Sequence, residues 1–191
     1  LTTDQEYGAC DRAWVYYAEK SGFKYIKSEI PLPITSVEEF CQSFWAKATS
    51  RTSYVFVSHI TSPTALIFPI EKIVKEAKAR GIKTIIDGAH VPGHIPLDIK
   101  AMDPDYYTGA CHKWLCCPKG VSFLYVRKEL QNAMRPLVFS WGWGKEYNEF
   151  NASTQLHSES RYVNIFQWQG TRDMSAFLTV PAAIEFQSQH D

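Results

Sequence analysis

The apolar positions change period along the chain, and each change marks an element. Val37, Phe40, Cys41, Phe44 and Ala48 recur at helical spacing behind Ser36-x-x-Glu39, a capping-box signature, so a helix is predicted there. Tyr54–Ile60 (YVFVSHI) is a short β-rich run and reads as a strand. In the following FPIEKIVKEAKARG, Ile70, Ile73, Val74 and Ala77 form one apolar stripe. Pro69 suits the first turn of that helix, Lys78 and Arg80 its negative end, and Gly81 its stop. Ile82–Asp87 (IKTIID) follows as a second strand, read as nearly all-apolar. Strand, amphipathic helix and buried strand in this order predict a βαβ unit on a parallel sheet.

Pro104–Ala110 reads as a third strand reached through another crossover, and Gly120–Leu130 alternates well enough for a fourth. Beyond Leu130 the periodicity fades. Residues 139–157 are rich in Gly, Trp and Asn and read as an ordered loop. Met174–Phe186 reads as a helix kinked at Pro181 and capped by Asp173. The predicted class is α/β, a mostly parallel sheet with flanking helices.

Composition narrows the function without defining it. The 191 residues are enough for one good-sized core. Lys+Arg and Asp+Glu balance at 20 each, which leaves no electrostatic footprint for nucleic acid or for an anionic membrane. No apolar run is long enough to span a bilayer, and no charged-then-apolar leader is read in the opening residues. The count of five cysteines is odd, which argues against a closed disulfide framework and predicts a reducing, cytoplasmic setting. The Asn151-Ala-Ser153 sequon carries little weight without a secretory signal. The sequence opens mid-phrase without Met and stops inside a helical pattern, so a piece of a longer polypeptide is expected.

In open α/β sheets ligands bind beyond the carboxyl ends of the strands. Three polar clusters fall there: Ser58–Ser62, Asp87-Gly88-Ala89-His90, and Thr108–Lys113. Neighbouring strands bring them to one rim. A metal site is a poor fit, because Pro92 and Gly93 forbid the helix that would align His90 with His94, and adjacent Cys116 and Cys117 do not chelate one ion easily. A redox site is poor as well, since no Cys-x-x-Cys is present. The cysteines read more simply as small hydrophobes beside the site. A lysine at the rim, partly desolvated and beside His112, has the surroundings of a nucleophilic amine. With the carboxylate of Asp87 it forms the pair used to hold pyridoxal phosphate, a Schiff-base lysine and an acid facing the pyridinium nitrogen. A buried Asp capping a loop and a surface Lys is the plainer reading of the same two residues.

The stretch IIDGAHVPGHIPLDIKAMDPDYYTGACHKWLCCPKGVSFLYVR resembles the cofactor segment of the class V aminotransferase family, in its isopenicillin N epimerase-like branch. VFVSHITSPTALIFPIEKI upstream and WQGTRDMSAFLTVPAAIEF downstream resemble the same family's flanking segments in the same order. The resemblance implies the large domain of a fold-type I enzyme dependent on pyridoxal 5'-phosphate. Lys113 is then the Schiff-base lysine and proton carrier, and Asp87 the partner of the pyridine nitrogen. His90 contacts the phenolic oxygen, His112 the phosphate, and Thr61 and Ser62 lie in the loop approaching the phenolic oxygen and substrate. Tyr7, in EYGA, is the candidate for the ring that stacks on the cofactor. Gly170 and Thr171 correspond to the phosphate contact donated across subunits, which implies a homodimer with shared sites.

The same resemblance implies chemistry at the Cα of an amino-acid substrate: epimerisation, transamination or C–S cleavage. Residues 1–191 are then a partial large domain, with an upstream phosphate-wrapping segment and a C-terminal small domain lying elsewhere. Ala110 departs from the family pattern, standing where relatives usually carry a polar phosphate contact. Lys119 and Arg172 are equally open to phosphate, substrate, surface or interface roles. A non-catalytic α/β module that dimerises is the rival expectation.

Overall fold

The computed structural model describes residues 1–140, 143, 158 and 160–190. Two compact units are present, residues 1–126 with 176–191, and residues 127–175. Most of the predicted loop 139–157 lies outside the described residues.

The first unit is built on a four-stranded sheet of β3 (Tyr54–Ser58), β4 (Lys83–Gly88), β5 (Tyr106–Ala110) and β6 (Ser122–Val126), in that spatial order. β3, β4 and β5 run parallel, and β6 closes the edge antiparallel to β5. A smaller parallel pair, β1 (Thr2–Thr3) and β2 (Lys27–Ser28), forms a sheet of its own beside β3. The amino-terminal segment also borders β3, where Phe56 N–H donates to Leu1 O at 2.9 Å.

Between β3 and β4 the chain forms α3 (Ile70–Ala79), and its stripe of Ile70, Ile73, Val74 and Ala77 is buried as the spacing predicts. Those side chains pack with Val55, Val57, Ile86 and Tyr107 of the sheet and with Phe40 and Phe44 of α2 (Val37–Trp45). Burial of this kind contributes roughly 1.5–3 kcal/mol per large apolar side chain and ties the crossover to the sheet. Ser36 caps α2 as expected, its hydroxyl accepting from Glu39 N–H at 3.1 Å. The reciprocal half of the box shifts by one residue, since the Glu39 carboxylate accepts from Thr35 N–H at 3.3 Å.

Three expectations are corrected. β4 alternates between half-buried and buried positions along Lys83–Gly88 and is not apolar throughout, because Thr84 and Asp87 carry polar contacts there. The fourth strand stops at Val126, and Lys128–Ala133 turns instead into a 3-10 helix. Pro181 does not kink a continuous helix. The chain breaks before it into α6 (Ser175–Leu178) and α7 (Val180–Ser188), with Pro181 in the first turn of α7, where its missing N–H is harmless. Three further helices carried no readable sequence signal. α1 (Gly8–Ser21) buries no side chain. α4 (Ile99–Met102) is a single turn capped by Asp98. α5 (Arg161–Gln167), in the second unit, is capped by Ser160.

No helix among the described residues is long and apolar enough to cross a membrane.

Glu6 fastens the amino-terminal segment to the sheet. Its buried carboxylate accepts from Ser58 N–H (2.8 Å), Ser58 Oγ–H (2.6 Å) and Thr3 Oγ1–H (2.7 Å). Burial outweighs those bonds and, with a smaller push from Asp87, raises the Glu6 pKa from 4.5 to about 7. The folded chain therefore holds a proton that the unfolded chain releases, so this contribution is complete below pH 4.5 and is lost as pH rises toward 7. The gap corresponds to about 3 kcal/mol. Urea unfolding from pH 4.5 to 8 is expected to show the stability difference between wild type and Glu6→Gln shrinking or reversing as pH rises. A difference independent of pH sinks this account.

Candidate active site

Parallel pairing decides where the polar clusters meet. Ser58 stands opposite Asp87, and Asp87 opposite Thr108, so the three strands deliver their following residues to a common rim. The ladder continues one step further, with His59 N–H donating to Asp87 O at 2.8 Å. Gly88 follows Asp87 because a Cβ there would lie 2.2 Å from the Tyr107 ring. Tyr107 in turn holds His59, whose Nδ1 is 3.0 Å from the phenolic oxygen. His59 is thus a buried strand-end residue, as its position implies.

Asp87 is half-buried. One of its oxygens accepts from Ala89 N–H at 3.0 Å, and the other faces the Cys10 thiol at 3.9 Å, the longest and weakest contact in the group. Burial first, and the Asp87 charge next, push the Cys10 thiol above its ordinary value.

After β4 the chain turns through Val91-Pro92-Gly93-His94 and lies on the backbone that carries Lys113. At Gly93 φ is +76°, and a Cβ would meet Leu115 Cα at 2.7 Å and Trp114 C at 2.8 Å. This close approach brings His90 and Lys113 together across 23 residues, with Lys113 Nζ 3.1 Å from His90 Nε2. Trp114 completes the cluster. Its indole N–H donates to His90 Nδ1 at 3.2 Å, and its ring packs on His94 with centroids 4.4 Å apart. His94 is fixed in the turn, its Nδ1 3.1 Å from His90 O. The His90 pKa lies below its ordinary value, mainly through burial and then through the neighbouring Lys113.

The surroundings expected for Lys113 are corrected here. The side chain is exposed, and its neighbour is His90. His112 is tied to its own loop, its Nδ1–H donating to Val121 O at 3.2 Å, which leaves the lone pair on Nε2. The loop from Cys111 to Val121 is closed at its base by Cys111 N–H to Val121 O (3.0 Å) and Cys117 N–H to Cys111 O (3.1 Å). Cys111 and Cys117 are buried with Leu115 and Val121 against Ala176, Phe177, Val180 and Ala183, while Cys116 is exposed. All five cysteines are free thiols.

The other predicted residues are distributed as follows. Thr61 is buried and its hydroxyl serves its own loop, accepting from Leu66 N–H at 2.8 Å and pairing with Thr64 Oγ1 at 2.7 Å. Ser62 is exposed on that loop. Tyr7 is 51% exposed at the start of α1, one residue from buried Glu6, so it is no core aromatic. Gly170, at φ +87°, and Thr171 belong to the second unit and are both exposed. Trp114 and Glu6 had not been singled out for a role at the site. The only sequence hint of either is adjacency, to Lys113 and to Tyr7. Among the described residues no cluster of His, Cys, Asp or Glu is arranged to hold a metal ion. A separate cavity of about 700 Å³, lined by Trp14, Phe23, Tyr25, Tyr54 and Phe56, lies around the start of β3, away from the rim.

An α/β sheet with acid, imidazole and amine at its carboxyl rim defines the general class, and sequence comparison gives the family. The chain belongs to the class V aminotransferase family, whose sequence model matches residues 1–191. Isopenicillin N epimerase of Amycolatopsis lactamdurans is 36% identical over 190 residues, covering 98% of this chain and 48% of that protein. Putative L-cysteine desulfhydrase 1 of Oryza sativa subsp. japonica is 31% identical, covering 94% of this chain and 36% of that protein. Among solved structures, the cysteine desulfurase CsdA of Escherichia coli superposes with a TM-score of 0.74 at 21% identity, covering 100% of this chain and 45% of that one. C-DES, in a structure with glycine covalently linked to its PLP cofactor, superposes with a TM-score of 0.73 at 18% identity over 100% of this chain and 49% of that one. At these identities the structural likeness is one of fold. The chain spans about half the length of the relatives it matches, or less.

The Gly93 contact gives a direct test. Gly81 also has positive φ (+69°), but nothing lies within 4 Å of a Cβ there. Gly81→Ala is therefore expected to cost about 1 kcal/mol, from backbone strain alone. Gly93→Ala adds a collision with backbone and is expected to cost about 3 kcal/mol. Equal losses in denaturant unfolding would show that the 91–94 turn does not bear on the lysine loop.

Proposed function

We propose that this chain is the cofactor-holding part of a pyridoxal 5'-phosphate-dependent enzyme acting at the Cα of an amino-acid substrate. The observation that carries the reading is the meeting at one rim of a half-buried carboxylate, an imidazole and an exposed amine, with Lys113 Nζ 3.1 Å from His90 Nε2. These groups match the cofactor's chemistry. Asp87, whose second oxygen meets among the described residues a thiol at 3.9 Å, is suited to accept from a protonated pyridine nitrogen. His90 is suited to the phenolic oxygen, the Lys113 amine to the aldehyde carbon, and Nε2 of His112, when protonated, to the phosphate. When bound, the cofactor draws electron density away from the substrate's Cα and makes its C–H bond acidic.

The chain's own residues do the remaining work. Lys113 takes the proton from Cα and returns it, as general base and then general acid. His90 orients the lysine nitrogen, and the Asp87 charge favours a cationic ring nitrogen. Tyr7 supplies an exposed ring for stacking at the start of α1, and Thr61 and Ser62 shape the loop on the neighbouring strand. Gly170 and Thr171 are read as reaching the phosphate of a second subunit, which makes the enzyme a homodimer with shared sites.

Among reactions at Cα, the 36% identity to an epimerase supports epimerisation, with transamination and C–S cleavage as the other members of the class. The Cys10 and Cys111 thiols are both pushed up, mainly by burial, which disfavours these two as nucleophiles of the desulfurase kind.

Incubation with pyridoxal 5'-phosphate is expected to give a visible absorption band, and borohydride reduction to place the added mass on the Lys113 peptide. Lys113→Ala is expected to abolish the adduct, and Asp87→Asn to weaken binding at least about tenfold, the loss of one charged hydrogen bond. With the polypeptide extended to the length of its relatives, a substrate amino acid is expected to exchange its Cα hydrogen for deuterium from solvent. If the polypeptide extended to the length of its relatives also stays colourless and forms no adduct, the reading is refuted and a non-catalytic α/β module is favoured.

A further inference from the structure

His90 has three polar neighbours with different demands. Trp114 Nε1 lies 3.2 Å from its Nδ1, Lys113 Nζ lies 3.1 Å from its Nε2, and Asp87 is three residues back along the chain. An indole N–H only donates. A neutral imidazole has a single lone pair and a single N–H. With the lone pair at Nδ1 taken by Trp114, the proton sits on Nε2 and points at Lys113. The opposite tautomer sets two N–H groups face to face at Nδ1. Burial first, then Lys113 and to a lesser degree His94, favour the neutral ring for which this argument holds, and together they outweigh Asp87, which favours the charged one.

We propose that Trp114 is a positioning residue which fixes His90 as the Nε2–H tautomer, so that His90 donates to the neutral Lys113 nitrogen and holds it at the rim until that nitrogen leaves the bond and turns its lone pair to a carbonyl carbon. This bond forms only while Nζ carries a lone pair, which is the form that attacks a carbonyl carbon. Without the indole N–H, the imidazole lone pair becomes available at Nε2, where a protonated Lys113 donates to it and is held in its unreactive form. The geometry around Trp114 is built for the first arrangement. The ring packs on His94, His94 is tied to His90 O, and Gly93 admits the Trp114 backbone at van der Waals limits. The indole is thereby oriented although the residue is 49% exposed.

The inference rests on the reading of Lys113 as the reactive amine, and the test separates the two. The protein carrying ¹⁵N-labelled histidine is examined by two-bond ¹H–¹⁵N correlation without cofactor, and His90 is assigned by its loss in His90→Asn. At a pH where the ring is neutral, the wild type is expected to show a bare Nδ1 and a protonated Nε2. Protonation at Nδ1 in the wild type overturns the proposal by itself, with no variant needed.

In Trp114→Phe, the Nδ1–H tautomer is expected to gain population. Borohydride-trapped capture of pyridoxal 5'-phosphate at Lys113 is expected to slow about tenfold at neutral pH, the worth of one hydrogen bond to a charged group. Replacing Trp114 by 3-benzothienylalanine keeps the ring's size and stacking and removes only the N–H donor. It is expected to behave like Trp114→Phe in both measurements. Wild-type tautomer and capture rate in the benzothiophene variant reduce Trp114 to packing and overturn the proposal. Absence of any adduct on Lys113 in the wild type, and also in the polypeptide extended to the length of its relatives, overturns the proposed function instead, and leaves the tautomer to be judged by its own spectrum.

Discussion

The common register of β3, β4 and β5 is the constraint on which the rest depends. Parallel strands share a direction, so pairing Ser58 with Asp87 and Asp87 with Thr108 forces the residues after all three to emerge at one edge. Opposed strands would send alternate ends away from each other. The register is itself fixed by burial, since Val57, Ile86 and Tyr107 lie side by side on the sheet and are all buried. A slip of one residue would turn these side chains to the opposite face. The edge strand β6 has a different task. Running antiparallel to β5, it returns the chain beside Ala110 and closes the lysine loop at its base.

That closure matters because an exposed lysine on an open loop has many rotamers, and a reactive amine must hold one direction. Two features supply the rigidity. Cys111, Leu115, Cys117 and Val121 bury the inner side of the loop against the two C-terminal helices. The 91–94 turn presses on its outer side at Gly93, where any side chain would collide with backbone. Lys113 is therefore held from both sides while its own side chain stays accessible.

Much of this was legible in the sequence, for identifiable reasons. α3 announced itself because four buried positions recur every three or four residues and a glycine at φ +69° follows its end. Asp87 and Lys113 stood out because a strand end and a following polar cluster are local features. α1 left no such trace, since a helix with no buried side chain has no apolar stripe to read. The Trp114–His90 bond was equally invisible. It joins residues 24 apart in sequence, and its meaning depends on which imidazole nitrogen faces which donor. The neighbours expected for Lys113 followed sequence adjacency to His112, whereas the turn at Gly93 substitutes His90, two residues beyond the end of β4. The break at Pro181 was misread as a kink because periodicity cannot tell one bent helix from two short ones.

The electrostatics of the rim follow one rule, that groups around Asp87 and Lys113 are biased toward their neutral forms. Burial raises Glu6 and the Cys10 thiol, and the Asp87 charge adds to both. Burial lowers His90, and Lys113 adds to that. Tyr107, behind the sheet end, is pushed up by burial and again by Asp87. Each of these groups is a hydrogen-bond partner that keeps its place without adding a competing charge. The bias also links folding to the site. Protonation of Glu6 relieves a like charge near Asp87 while keeping the amino-terminal segment, with Tyr7 at its end, fastened to Ser58 on β3. Ionisation of Glu6 restores that like charge in a buried place, a cost that the Ser58 and Thr3 bonds to the carboxylate offset only in part. A single buried carboxylate thus couples the seating of α1 to the charge environment of the acid that the rim presents.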